Sequence, residues 1–157
     1  MSGCRVIARD KLALVGSEVE QELDDRWWLG LRARVLESVD AHEFTVVLNF
    51  GGGSALTIES AASVRAAAAP GTETPAVTRN EDGTVSASDA LTSLVGQQVL
   101  SSVGFKTGAL RLVFESGQLL TVPMDEHYEA WQLTGPLGRM WVSMPGGGLT
   151  TFPGASD

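Results

Sequence analysis

Apolar and polar positions alternate with a period of two in two separate stretches of this chain. Val46, Leu48 and Phe50 alternate with Thr45, Val47 and Asn49, and Leu110, Leu112 and Phe114 alternate with Arg111 and Val113. That period puts one set of side chains on the core face of a strand. Gly51-Gly52-Gly53 and Glu115-Ser116-Gly117 end the two stretches. The last glycine of each suits the positive φ of a tight hairpin turn. Leu56 with Ile58, and Leu120 with Val122, then form return strands. Each stretch reads as a three-stranded meander, over 35–39, 44–50 and 55–59, and over 99–103, 109–114 and 118–122.

The two meanders are copies of one another. Shifted by 64 positions, 35–58 lies on 99–122 without a gap, and nine of 24 positions are identical, among them Val35/Val99, Leu36/Leu100, Ser38/Ser102, Leu48/Leu112 and Phe50/Phe114. Shared core residues and turn glycines report a duplicated structural unit rather than a chemistry. Residues 1–157 are accordingly expected to form a single domain, with copy one at about 29–60 and copy two at about 91–123.

The rest of the chain is read around that repeat. Leu12, Val15, Val19, Leu23 and Trp27 fall at spacings of three and four, which predicts a leader helix. Ser88 caps a short helix carrying Leu91 and Leu94, and Asp25, Trp27 and Leu31 match Asp89, Leu91 and Val95, so a short helix is expected to open each copy. Pro70, Pro75 and Asn80-Glu81-Asp82-Gly83 give 66–87 the composition of a flexible linker. Residues 124–152 have no counterpart in the repeat. There Trp131-Gln132-Leu133 and Met140-Trp141-Val142 flank a turn at Gly135-Pro136-Leu137-Gly138, and a last short strand follows Gly146-Gly147-Gly148. The expected fold is mainly β: two pseudo-symmetric meanders plus a C-terminal hairpin and strand. About nine strands would make a sandwich or half-open barrel, with short helices. The runner-up is a mixed sheet covered by the leader helix.

Charge narrows the partners. The net charge is −8, from 19 acidic and 11 basic residues, which disfavours phosphate backbones and anionic membranes and attracts a basic protein. Cys4 is the only cysteine, so no intramolecular disulfide forms, and the reducing cytoplasm is the expected location. No apolar run approaches transmembrane length, and Arg5, Arg9, Asp10 and Lys11 interrupt any signal-peptide core.

The G-x-x-V element, the meander, Tyr128-Glu129-Ala130-Trp131 and Pro145-Gly146-Gly147-Gly148 together resemble a family of small uncharacterised actinobacterial proteins, a domain of unknown function. The resemblance implies a compact β-rich domain and brings no activity, cofactor or catalytic residue. Related small domains near toxin loci suggest an immunity-type role.

No catalytic or metal motif stands out, and no cofactor is expected. Asp125-Glu126-His127-Tyr128-Glu129 is the densest titratable set, but His42 and Cys4 offer no ligand spacing with it. It reads as a one-turn helix capped by Asp125. Both glycine triplets precede strand-like residues rather than a helix, so they read as turns and not phosphate cradles. The leading expectation is a non-enzymatic protein-binding module, such as an acidic immunity-like inhibitor of a basic bacterial toxin. Its contact site would combine Trp27 and Trp28 with Glu18, Glu20, Glu22, Asp24 and Asp25. The alternative is a small-ligand domain or enzyme with a pocket of His127, Tyr128, Glu129, Trp131, Trp141 and Met144. A third expectation is self-assembly, a homodimer for instance, through the edge strands 35–39 and 99–103.

Overall fold

A computed structural model describes residues 19–66 and 71–154. The elements are β1 (Gln21–Glu22), β2 (Arg26–Trp28), β3 (Leu36–Ala41), β4 (Val46–Phe50), β5 (Ala55–Ile58), β6 (Ala62–Ala66), β7 (Thr74–Arg79), β8 (Val85–Ala87), α1 (Asp89–Thr92), β9 (Val99–Phe105), β10 (Leu110–Phe114), β11 (Gln118–Val122), β12 (Trp131–Thr134), β13 (Met140–Ser143) and β14 (Leu149–Phe152). They build two antiparallel sheets, β1-β2-β9-β10-β11-β6-β7-β8 and β14-β13-β12-β5-β4-β3. The class is mainly β and sandwich-like, with fourteen strands among the described residues rather than about nine. Leu48, Phe50, Leu56 and Ile58 from one sheet join Leu110, Leu112, Phe114 and Leu120 from the other in one buried cluster. Each such apolar side chain contributes about 1.5–3 kcal/mol on burial.

The duplication extends further than the meanders. After its meander each copy sends a fourth strand across to the opposite sheet. β6 follows β5 but pairs with β11, whereas β12 follows β11 but pairs with β5. The registers match: Leu120 faces Val64 as Leu56 faces Leu133. Each crossing strand then begins a second meander, β6-β7-β8 and β12-β13-β14. Even the last turns coincide. Asn80 N–H donates to the Thr84 carbonyl at 2.8 Å, and Met144 N–H, 64 positions on, donates to that of Gly148 at 2.9 Å. The stretch expected as a flexible linker therefore contains two sheet strands, β7 and β8, and the C-terminal tail has a counterpart after all.

A pseudo-twofold axis passes through the isolated bridge between Val35 and Gln98. Leu36 N–H donates to the Gln97 carbonyl at 3.0 Å, and Val99 N–H to that of Arg34 at 2.9 Å. These two bonds exchange under the axis, so Leu36 corresponds to Val99 and not to Leu100. Both Leu36 and Val99 are buried against a phenylalanine, Phe50 and Phe114, while Leu100 is exposed. The first strand of each copy is thus offset by 63 residues. The extra residue sits in the next turn: Glu43-Phe44 closes copy one, and Lys106-Thr107-Gly108 closes copy two, with Gly108 at φ 109°.

The other differences lie at the N-terminal side. Residues 1–18, including most of the predicted leader helix, Cys4 and Glu18, lie outside the described residues. From Gln21 the chain is a β-hairpin instead of a helix, because Arg26, Trp27 and Trp28 pair with Phe105, Gly104 and Val103. A short helix opens only the second copy. β2 also covers β9, so 99–103 is no edge, whereas β3 remains one. Among the described residues no helix is long and apolar enough to cross a membrane.

Candidate functional site

Strand pairing sets the two tryptophans of β2 on opposite faces of the eight-stranded sheet. Trp27 faces inward, packing edge-to-face on Trp141 with centroids 5.7 Å apart and lying beneath the Arg139 guanidinium at 5.3 Å. Trp28 faces outward. Its row across the sheet reads Trp28, Val103, Arg111, Thr121 and Ser63. Val103 is fully buried yet belongs to no part of the core cluster. Since its side chain is on the outer face, its cover comes from its half-buried neighbours Trp28 and Arg111. Beside this row Phe105 lies under two guanidinium groups, Arg26 at 5.0 Å and Arg111 at 5.4 Å. Arg111 Nε is buried and makes no hydrogen bond. No described helix or strand lies across this face.

The acidic residues expected to accompany the tryptophans do not form one negative face. Glu22 is bound to Lys106 at 2.6 Å, Asp25 to Arg26 at 2.9 Å, and Glu20 lies 3.5 Å from Arg139. The Arg26 hydrogen bond holds the Asp25 carboxyl below its ordinary value. Asp24 lines a polar groove with Glu22, Asp25 and Lys106 at the hairpin tip. The hairpin itself is the physical cause. It turns Glu20, Glu22 and Asp25 toward three separate cations instead of stacking them on one side.

The residues of the alternative pocket are divided among the core, a turn and a loop. Trp131 and Trp141 are fully buried core residues, and Trp131 Nε1–H donates to the Gly108 carbonyl at 2.9 Å. Met144 sits in the β13–β14 turn. His127, Tyr128 and Glu129 occupy the loop leading to β12, which is a bend rather than a helical turn. Asp125 organises it, accepting from the amides of His127 at 2.8 Å and Tyr128 at 3.2 Å and from Ser60 Oγ at 2.8 Å. Burial opposes ionisation of Asp125, but these three donors together outweigh it and lower the carboxyl's pKa.

That loop meets residues the sequence did not flag. The Arg79 guanidinium stacks 3.5 Å from the centre of the half-exposed Tyr128 ring and donates to the Glu59 carbonyl. Burial, and then repulsion from Glu129, raises the Glu59 carboxyl, with Arg79 acting against both. This is an ion-and-ring clasp between the two sheets' loops, with no nucleophile in it. Among the described residues no group of three or more histidine, cysteine or carboxylate side chains could hold a metal. Arg26, Phe105 and Arg111 also went unflagged, although Arg111 occupies an outward position in the alternation of β10.

A family model described as a family of unknown function, DUF6188, matches residues 27–153, and the chain belongs to that family. The match takes in both copies, every strand from β3 on and all of β2 but Arg26. No curated protein and no solved structure matches the chain.

Proposed function

We propose that this family member is a non-enzymatic protein-binding module whose contact surface is the outer face of the eight-stranded sheet around Trp28. The observation that carries the reading is the Trp28–Val103–Arg111 row with Arg26 and Phe105 beside it. Tryptophan and arginine dominate the binding energy of protein interfaces, and here they cover an apolar residue on an open sheet face. The net charge of −8 supports long-range steering of a basic partner, as an immunity-like inhibitor of a bacterial toxin would need. At the contact itself the arginines call for acceptor groups on that partner.

Co-expression with the product of an adjacent toxin-like gene tests this. The wild-type chain should restore growth and co-purify with the toxin. The Trp28→Ala/Arg111→Ala variant, with folding verified by circular dichroism, should lose both. Trp28→Ala alone should weaken binding by about 2 kcal/mol or more. Equal affinity in the folded double variant would remove this surface from the interface.

A further inference from the structure

The pseudo-twofold axis supplies an internal control for one turn. Residues 31–34 of copy one correspond to 94–97 of copy two, through the exchanged bonds of Arg34 and Gln97 and of Ala33 and Gly96. In copy two the turn is neutral and self-satisfied. Gly96 takes φ 94° freely, and Gln97 donates to Gln118 Oε1 at 3.0 Å while accepting from the Ser116 amide. In copy one the same positions are Arg32, Ala33 and Arg34. Ala33 is held at φ 72°, the one non-glycine residue with positive φ among those described. That conformation costs an L-residue on the order of 1 kcal/mol.

The opposing turn has changed in concert. Where copy two has Ser116, copy one has Gly52, and the Arg34 guanidinium lies in the space a side chain there would fill. A Cβ at Gly52 would collide with Arg34 Nη1 and come within 3.0 Å of its Cζ. Among the described residues neither Arg32 nor Arg34 has a side-chain hydrogen-bond or ion-pair partner, while Glu20 beside them is paired with Arg139. Both arginines line a cleft whose other walls are Val19, Glu20, Gly30, Ala33, Pro136 and Leu137, with the Glu20 carboxylate turned to Arg139. Val19 and Leu137 are each 64% exposed there.

We propose that this cleft between the 31–34 turn and the β12–β13 turn binds a small amphipathic anion. Arg32 and Arg34 would hold its carboxylate or phosphate head, and Val19, Pro136 and Leu137 its short apolar body. Two unpaired guanidiniums beside apolar walls match such a head and tail, since arginine forms its strongest hydrogen bonds with planar or tetrahedral oxyanions. The site is separate from the Trp28 face and independent of the protein-binding reading.

Titration of the whole protein with hexanoate, hexyl phosphate, hexylammonium and hexanol, followed by amide chemical shifts and calorimetry, tests the proposal. Binding of an anion should move the Ala33, Arg34 and Leu137 amides, and the two anionic probes distinguish a carboxylate from a phosphate head. Hexanol and hexylammonium should bind about tenfold more weakly or worse. Arg32→Val/Arg34→Gln, which writes the copy-two residues into copy one, should weaken anion binding by at least about tenfold. Gly52→Ser should also weaken it by displacing the Arg34 guanidinium. Absence of binding by both anions, shifts confined to other residues, or equal affinity in folded Arg32→Val/Arg34→Gln would overturn it. Should that variant not fold, the wild-type shift map and the neutral and cationic probes decide.

Discussion

The outer faces of the two sheets differ far more than their inner faces. Inward, Leu48 matches Leu112, Phe50 matches Phe114 and Leu56 matches Leu120, and all six are buried. Outward, the six-stranded sheet carries the rows Asp40, Val47, Thr57, Gln132, Val142, Thr150 and Ser38, Asn49, Ala55, Thr134, Met140, Phe152. Those rows contain one carboxylate and no cation. The corresponding face of the eight-stranded sheet carries Arg26, Trp28, Val103, Phe105, Arg111 and Arg65. Close packing constrains the inside of a duplicated fold, because a changed volume there is felt at once. The solvent side is free to diverge, and the proposed contact surface lies there.

The largest test concerns the inside. Leu48→Ala and Leu112→Ala should each destabilise by about 2–5 kcal/mol in urea unfolding, and by similar amounts. A small loss at only one of them would mean that the two copies do not share one core.

The axis-related turns should give effects of opposite sign. Gly96→Ala should destabilise by roughly 1 kcal/mol through its backbone alone, since a Cβ there meets open space. Ala33→Gly relieves the same conformation and should stabilise by up to about 1 kcal/mol. Thermal melts of the pair read the contrast directly, and equal signs would break it.

The clasp joining the sheets predicts a pH response. Glu59 has a raised folded pKa, so the folded state binds its proton more readily than the unfolded chain. Its ionisation therefore lowers stability as pH rises above 4.5 through the folded value, and falling pH restores what is lost. Asp125 works the other way. Its lowered pKa contributes stability that is present above 3.8 and lost as pH falls below it through the folded value. Glu59→Gln should be more stable than wild type at neutral pH, with the gain shrinking toward pH 4.5. A gain that does not vary with pH would separate Glu59 from this titration. Trp28→Ala should cost about 1–2 kcal/mol of stability, less than either core leucine, because the half-buried indole covers Val103 on the outer face alone.

The sequence showed the strands whose alternation is clean, β4, β5, β10 and β11, along with the β12–β13 hairpin. It hid β7 and β8 because, over 76–87 and 140–151, Gly83 and Gly147 form the one identical pair. A register shift between Ala62 and Ser63 and the pairing of Pro75 within β7 also disturb the alternation. Gapless matching misaligned the first strand because it could not see the extra residue at Gly108. The leader's spacing of four fits a helix, yet pairing with Val103, Gly104 and Phe105 overrides that local preference in β2. Arg32 and Arg34 carry no signal on their own. Their meaning comes from the folded turn, the glycine at 52 and the comparison with Gln97, none of which a linear pattern displays.

The chain is two six-stranded copies exchanging strands, so that 74–87 is sheet and not linker. Native-state amide hydrogen exchange tests it most directly at Val85 and Ser88, whose N–H groups donate to Glu43 and Ala76 carbonyls at 3.0 and 2.9 Å. Protection at both should lie within roughly tenfold of that at Gly148, which donates to the Thr107 carbonyl at 2.9 Å in copy two. Exchange of Val85 and Ser88 at the rate of an unstructured peptide, with Gly148 protected, would contradict it.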